Sequence, residues 1–166
     1  QNQPPHVLAD LGVAYVPQGR MIFPLLTVRE NLETGFNCLS KNSRVVPDEI
    51  FELFPILKEM EDRRGGDLSG GQQQQLAFGR ALITCPKLLL LDEPTEGIQP
   101  NIIKQIKSVI EYLRDQGTMG ILLVEQYFDF AYGLADQLVV LERGRVTLNG
   151  LKTNFSRDEI LAKVTV

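Results

Sequence analysis

Leu68-Ser69-Gly70-Gly71-Gln72 and, beyond one helix-like segment, Leu88-Leu89-Leu90-Leu91-Asp92-Glu93-Pro94 are the residues from which the rest of the chain can be read. Ser69 with Gln72 three positions later matches a capping box, which sets Gly70 and Gly71 at a helix entry. There the first backbone N–H groups lack helical partners and the macrodipole favours an anion, while two glycines let an oxygen-rich ligand approach. The leucine run is short, continuous and apolar, as expected of a strand buried on both faces of a parallel sheet. Asp92 and Glu93 emerge at its carboxyl end, where α/β folds bind ligands. One carboxylate so placed can hold Mg²⁺, often through water, while its neighbour polarises an attacking water. Taken singly, Ser-Gly-Gly is also an ordinary capped helix start and Asp-Glu a pair of solvated acids at a strand end.

Working outward, Leu11 to Val16 is expected to form a short strand that Pro17-Gln18-Gly19 ends in a loop. Thr27 and Glu30 make a second capping box, and Val28, Leu32 and Phe36 at helical spacing extend a helix to about Cys38. Ile50, Phe51, Leu53, Phe54, Leu57 and Met60 form an apolar stripe that Pro55 must kink or divide, with Phe51 and Phe54 expected in the core. After the Gly-Gly pair, Leu76 to Leu82 continue a helix until Cys85-Pro86 stops it. Asn101 to Gln116 forms a cleaner helix, opened by Pro100, closed by Gly117 and apolar along one face. Ile121 to Val124 reads as another buried strand and Phe128 to Ala135 as a short helix. Leu138 to Leu141 and Val146 to Leu148 read as a hairpin turned by Arg143-Gly144, and Phe155 to Ala162 as a last helix capped near Ser156 or Asp158. This alternation implies an α/β fold with parallel strands and right-handed crossovers.

Composition narrows the function. The 166 residues are 43% hydrophobic and 23% charged, enough to bury a core and too apolar for a disordered chain. A net charge of −4 without a Lys/Arg run argues against nucleic acid as a partner. Cys38 and Cys85 form no CxxC pair, so neither zinc nor a disulfide framework is indicated and a reducing cytoplasm fits. No apolar run is long enough to span a bilayer. His6, the only histidine, falls in a loose start.

The two halves together resemble the signature and Walker B motifs of ABC-type ATPases, and the likeness extends over nearly the whole chain. Val16-Pro17-Gln18 resembles the Q-loop, Glu96, Gly97, Ile98 and Gln99 occupy the D-loop, and Val124-Glu125-Gln126 the switch. Val16-Pro17-Gln18-Gly19-Arg20, Ile22-Phe23-Pro24, Thr27-Val28 and Glu93 to Pro100 are most similar to ATP-binding subunits of bacterial importers for urea or branched-chain amino acids. The string from Glu93 to Pro100 looks most like the urea branch.

The resemblance implies a partial P-loop NTPase-like parallel sheet with a helical subdomain. Residues 1–166 would form one partial ABC ATPase domain, with 27–67 and the signature helix 69–84 as helical subdomain and 85–166 as part of the α/β core. It further implies ATP and Mg²⁺ as cofactors, with Glu93 and Gln126 catalytic, Asp92 and Gln18 toward the metal, and Ser69, Gly70, Gly71 and Gln72 contacting nucleotide held by a second ATPase subunit. On that account Gly71→Asp sets a carboxylate against phosphate and blocks closure without unfolding the chain. Partners would be that second subunit and transmembrane permeases, and the location the cytoplasmic face of the cell membrane.

Four departures accompany the match. No Gly-x-x-x-x-Gly-Lys-Ser/Thr occurs, so the amide cradle and lysine for the β and γ phosphates are missing from these residues, which resemble the later part of a complete subunit. The chain alone is accordingly expected to be inactive. Gln126 stands where most of the family has histidine, and Gln99 where it has aspartate. Gln75 and Gly79 stand for the more usual Arg and Ala, a change expected to soften the helix. Two other functions remain open at this stage: a non-hydrolysing truncated ABC domain, and a soluble non-transport ABC ATPase, which would need a coiled-coil arm or second cassette that is not seen.

Overall fold

Most helices begin where the sequence supplies a cap or a proline, and each strand of the main sheet ends where a polar motif starts. The computed structural model describes residues 3–40 and 43–164. The chain falls into two compact units, Gln1–Val124 and Glu125–Val166.

In the first unit, α1 (Pro5–Asp10) leads into β1 (Val13–Val16), so His6 lies in a helix rather than a loose start. α2 (Val28–Glu33) opens on the Thr27–Glu30 box, in which Glu30 Oε2 accepts from the Thr27 N–H at 2.7 Å. That backbone bond, with the Thr27 side chain, holds the Glu30 carboxyl below its ordinary range. The helix expected to run on to about Cys38 tightens instead into a 3₁₀ segment at Thr34–Cys38. Gly35 permits a close approach there, since a Cβ would sit 3.0 Å from Ile83 and 3.1 Å from the Arg80 carbonyl. Pro55 divides the apolar stripe into α3 (Asp48–Leu53) and α4 (Pro55–Glu59), with Phe54 between them outside helical geometry. α5 (Gly70–Ile83) follows the Ser69–Gln72 box, then come β2 (Leu88–Asp92), α6 (Pro100–Gln116) and β3 (Gly120–Val124). Gly117 closes α6 at φ 64°, a left-handed position glycine adopts without strain.

Part of the core of this unit lies between α2, α3, α4 and α5, and part on the buried sides of the sheet and of α6. Phe54, Phe78, Leu32, Leu57 and Leu76 are fully buried, and the rings of Phe54 and Phe78 lie 6.1 Å apart. Each such side chain contributes about 1.5–3 kcal/mol. Phe51 is only half-buried, under the Lys58 ammonium. Gly79 serves the packing: a Cβ would lie 2.9 Å from Leu32 and 3.2 Å from Leu57, so the surrounding core is fitted to its absence.

β1, β2 and β3 form a parallel sheet in the order β1-β2-β3, with Tyr15 beside Leu90 and Leu90 beside Leu122. One face, carrying Ala14, Val16, Leu89 and Leu91, is buried. The other is not, contrary to the expectation for continuous apolar strands: Tyr15, Leu122 and Val124 are 53%, 55% and 52% exposed. The run Leu88 to Leu91 is held in the sheet by strand pairing and by its one buried face, and burial of the second face needs a further layer.

In the second unit, α7 (Phe128–Leu134) precedes an antiparallel hairpin of β4 (Gln137–Glu142) and β5 (Arg145–Leu151). Arg143 and Gly144, both at positive φ, make the two-residue turn, and a bulge falls between Val140 and Leu141. α8 (Arg157–Val164) starts on Ser156, whose Oγ accepts from the Glu159 N–H at 3.2 Å. Among the described residues no helix is long and apolar enough to cross a membrane, and both cysteines are free and exposed.

Candidate functional site

The leucines of β2 bury its middle, so Asp92 and Glu93 are carried to the rim of the sheet at its carboxyl end, the side from which parallel sheets present ligand-binding groups. Asp92 Oδ2 accepts from the Tyr15 hydroxyl at 2.8 Å. The Asp92 carboxylate in turn holds the Tyr15 phenol above its ordinary range, because the phenol is a donor to it only while protonated. Glu93 stands at φ 45°, a backbone region that side chains rarely adopt. Its N–H donates to the Val124 carbonyl at 2.9 Å and its own carbonyl accepts from Glu96 at 3.1 Å, and these two bonds hold the strained turn. Gln18, brought from the end of β1, donates through Nε2 to Glu93 Oε2 at 3.1 Å. The structure therefore brings Gln18, Asp92 and Glu93 together.

Asp92 and Glu93 supply oxygen donors of the kind Mg²⁺ prefers. Among the described residues no group of three or more His, Cys, Asp and Glu could hold a metal ion. A magnesium ion at this rim would therefore share Asp92 and Gln18 with ligand oxygens and water.

The capping box of α5 is present in both directions: the Ser69 N–H donates to Gln72 Oε1 at 2.9 Å and the Gln72 N–H to Ser69 Oγ at 3.4 Å. Ser69 is exposed and Gly70 half-buried, but Gly71 is buried, and a Cβ there would lie 2.8 Å from Ile102 of α6. Gly71 thus faces the neighbouring helix, not the exposed entry. Beyond Glu93, Glu96 and Gln99 are exposed, Gly97 turns the chain at φ 63° and Ile98 is half-buried. Gln99 precedes α6 without a side-chain capping bond. Gln126 lies in the second unit, just before α7, where the Glu125 carboxylate accepts from the N–H groups of Gln126 and Tyr127, both at 2.9 Å.

Four residues of this region escaped the sequence. Tyr15 looked like one more strand residue, and only the register of β1 on β2 turns it to Asp92. Arg20 donates through Nη2 to the Glu96 carbonyl at 3.2 Å. Arg80 reaches from α5 to the Met21 carbonyl at 2.8 Å and to Thr34 Oγ1 at 3.3 Å, and stacks on Phe23. Asn31 is fully buried, and its Nδ2 faces the carbonyls of Phe23, Leu26 and Thr27 at 2.9, 3.1 and 2.9 Å while Oδ1 accepts from Phe23 N–H at 2.8 Å. A polar residue at an apolar helical position, one turn after the cap, was the available signal. Asn31→Asp aims a carboxylate at those carbonyls and is expected to cost about 3 kcal/mol or more. The urea midpoint should fall accordingly, and an unchanged midpoint would show that the loop is held by other contacts.

Residues 3–96 match the family model described as ABC transporter. Over 147 residues the chain is 48% identical to the high-affinity branched-chain amino acid transport ATP-binding protein BraG of Pseudomonas aeruginosa, covering 88% of this chain and 63% of that protein. It is 38% identical over 164 residues to the probable branched-chain amino acid transport ATP-binding protein LivF of Archaeoglobus fulgidus, covering 97% of this chain and 69% of that one. The ADP conformation of MJ1267, an ATP-binding cassette of an ABC transporter, matches with a TM-score of 0.78 at 25% identity, over 99% of this chain and 72% of that one. The chain thus spans less than two thirds of the length of the first of these relatives. With a parallel sheet ending in Asp92-Glu93, a capped Gly-Gly helix entry and relatives of this identity, the chain belongs to the ABC transporter family as part of an ATP-binding cassette.

Proposed function

We propose that this chain is part of the ATP-binding, ATP-hydrolysing subunit of an importer for branched-chain amino acids or urea. The observation that carries the reading is the rim of β2, where Gln18 is hydrogen-bonded to Glu93 and Tyr15 to Asp92. Glu93 acts as the base that orients the attacking water, and Gln18 reports its state to the loop beyond. Asp92, with Gln18, would hold Mg²⁺, which when bound would neutralise charge on the phosphates. Gln126 positions the terminal phosphate through a neutral amide. Ser69, Gly70, Gly71 and Gln72 meet nucleotide held by a second ATPase subunit, Gly71 by setting the helix entry in place from behind. Glu96, Gly97, Ile98 and Gln99 lie along the same dimer surface.

Within the first unit, 27–67 with the signature helix 69–84 serves as the helical subdomain that docks on a transmembrane permease, while 85–166 supplies part of the α/β core of one cassette. The complete subunit works on the cytoplasmic face of the membrane, without a nucleic-acid partner. Because these residues contain no phosphate-binding loop, the 166-residue chain alone is expected to release phosphate from ATP at background rate, and the longer protein that carries it at a Mg²⁺-dependent rate. Phosphate release from both, against a Glu93→Gln control, is the test. Release from the short chain that the control abolishes would relocate the phosphate site, and inactivity of both would favour a non-hydrolysing domain.

A further inference from the structure

We propose that Arg20 is a positioning residue that ties the Q-loop to the D-loop beside the entry of the signature helix, and so holds the turn that carries the base Glu93. The inference rests on the ATPase reading given above. The loop after β1 is bent back by bonds from the Arg20 N–H to the Pro17 carbonyl at 3.0 Å and from the Met21 N–H to the Gly19 carbonyl at 2.8 Å. It leaves Arg20 and Met21 at φ 70° and 46°, which side-chain-bearing residues rarely adopt. Such a conformation persists only where the surroundings over-determine it.

The guanidinium shows what determines it. Its Nη2 donates to the Glu96 carbonyl at 3.2 Å, across 76 positions of chain. A Cβ built on Gly70 would be 3.3 Å from Nη1, 3.3 Å from Nη2 and 3.4 Å from Cζ, nearly equal distances that set the flat face of the group against the Gly70 backbone. Gly97 is the third wall, its built Cβ 3.6 Å from Nη2. Both glycines are adjacent to or within the motifs assigned to nucleotide, and neither has a side chain that would hold the guanidinium away. Among the described residues Nε is buried without a hydrogen-bond acceptor, so the bond that the group makes to the other loop is the one from Nη2. Arg80 fixes the opposite side of the loop through the Met21 carbonyl. Gln18, two residues before Arg20, bonds Glu93, and Glu96, three after Glu93, receives Arg20, so the two loops are stitched twice. A planar fork that donates and stacks at once is a task for Arg and poorly met by Lys.

The test uses the complete subunit with Arg20→Gly and Arg20→Lys. Gly relieves the left-handed backbone while removing the tether, so a side chain that only fills space predicts unchanged or raised Tm and unchanged turnover. The positioning role predicts a fall in kcat of about tenfold or more with KM for ATP within about threefold, Tm preserved, and partial recovery in Arg20→Lys. It also predicts faster hydrogen exchange at the amides of Glu96, Gly97 and Ile98 in Arg20→Gly, a readout that does not require the enzyme to turn over. Exchange at those amides equal to wild type, or kcat within twofold, overturns the inference. Loss of Tm together with protection lost throughout α5 and α6 overturns it as well, assigning Arg20 to stability. A failure of the ATPase reading itself shows separately, as wild-type turnover that Glu93→Gln leaves intact.

Discussion

Replacing Glu93 by Gln in the complete subunit leaves ATP bound and slows its hydrolysis by about 10²–10⁴-fold, the range expected for loss of a positioned base. The substitution changes almost nothing else. Glu93 Oε2 accepts from the Gln18 amide at 3.1 Å, and the carbonyl oxygen of a glutamine can accept the same bond, so the link between the two loops survives. The backbone bonds that hold residue 93 at positive φ, to Val124 and from Glu96, do not involve the side chain. What is lost is the carboxylate's charge and, with it, its basicity. Asp92→Asn acts differently: Tyr15 can still donate to the amide oxygen, but the charge that attracts Mg²⁺ is gone, so the variant should need more Mg²⁺ for half-maximal rate. Single-turnover hydrolysis over a magnesium titration separates the two. Turnover of Glu93→Gln within a few-fold of wild type would assign the base elsewhere.

The parts of this fold that were legible in advance are those encoded by local rules. Thr27 with Glu30, Ser69 with Gln72, Pro55, and Gly117 each act over one helical turn, and each produced the boundary expected of it. The register of the sheet is not local, and with it went Tyr15. The pattern of Leu88 to Leu91 and Ile121 to Val124 does not itself mark an open face, because apolar residues are tolerated on an open face as well as required on a closed one; the absence of a phosphate-binding loop from these residues does, since the strand and helix that flank such a loop would cover part of this apolar face. Arg20 and Arg80 were illegible for a related reason. Their partners are backbone carbonyls of Glu96 and Met21, which any sequence supplies, so no residue type marks the far end of either bond. By propensity Gly79 is a weak point in a helix, yet Leu32, Leu57 and Ile50 close on it, and a close approach between helices leaves no local trace except the glycine.

Gly71→Asp should unfold or severely destabilise the chain, by about 4 kcal/mol or more, and not merely weaken an anion site. The sequence places Gly70 and Gly71 alike at a helix entry, which suggests that a carboxylate at either one would oppose bound phosphate. Their surroundings differ. Gly70 is half-buried against the guanidinium of Arg20, whereas Gly71 is buried with Ile102 Cγ1 2.8 Å from where its Cβ would be. Ile102 sits in the first turn of α6, whose position is set by the burial of Ile106, Val109, Ile110 and Leu113, so the helix cannot withdraw without opening that core. An aspartate at position 71 must therefore displace packed helix and bury a charge, and the two costs add against a total stability of only about 5–15 kcal/mol. The steric share can be isolated with Gly71→Ala, which carries no charge, combined with Ile102→Ala, which clears Cγ1. The pair should be less destabilising than the sum of the single variants, with a coupling of roughly 1–3 kcal/mol in a double-mutant cycle read by urea unfolding. Strict additivity would show that the two residues do not meet, and a Gly71→Asp protein that folds with a wild-type midpoint would return Gly71 to the phosphate-facing role.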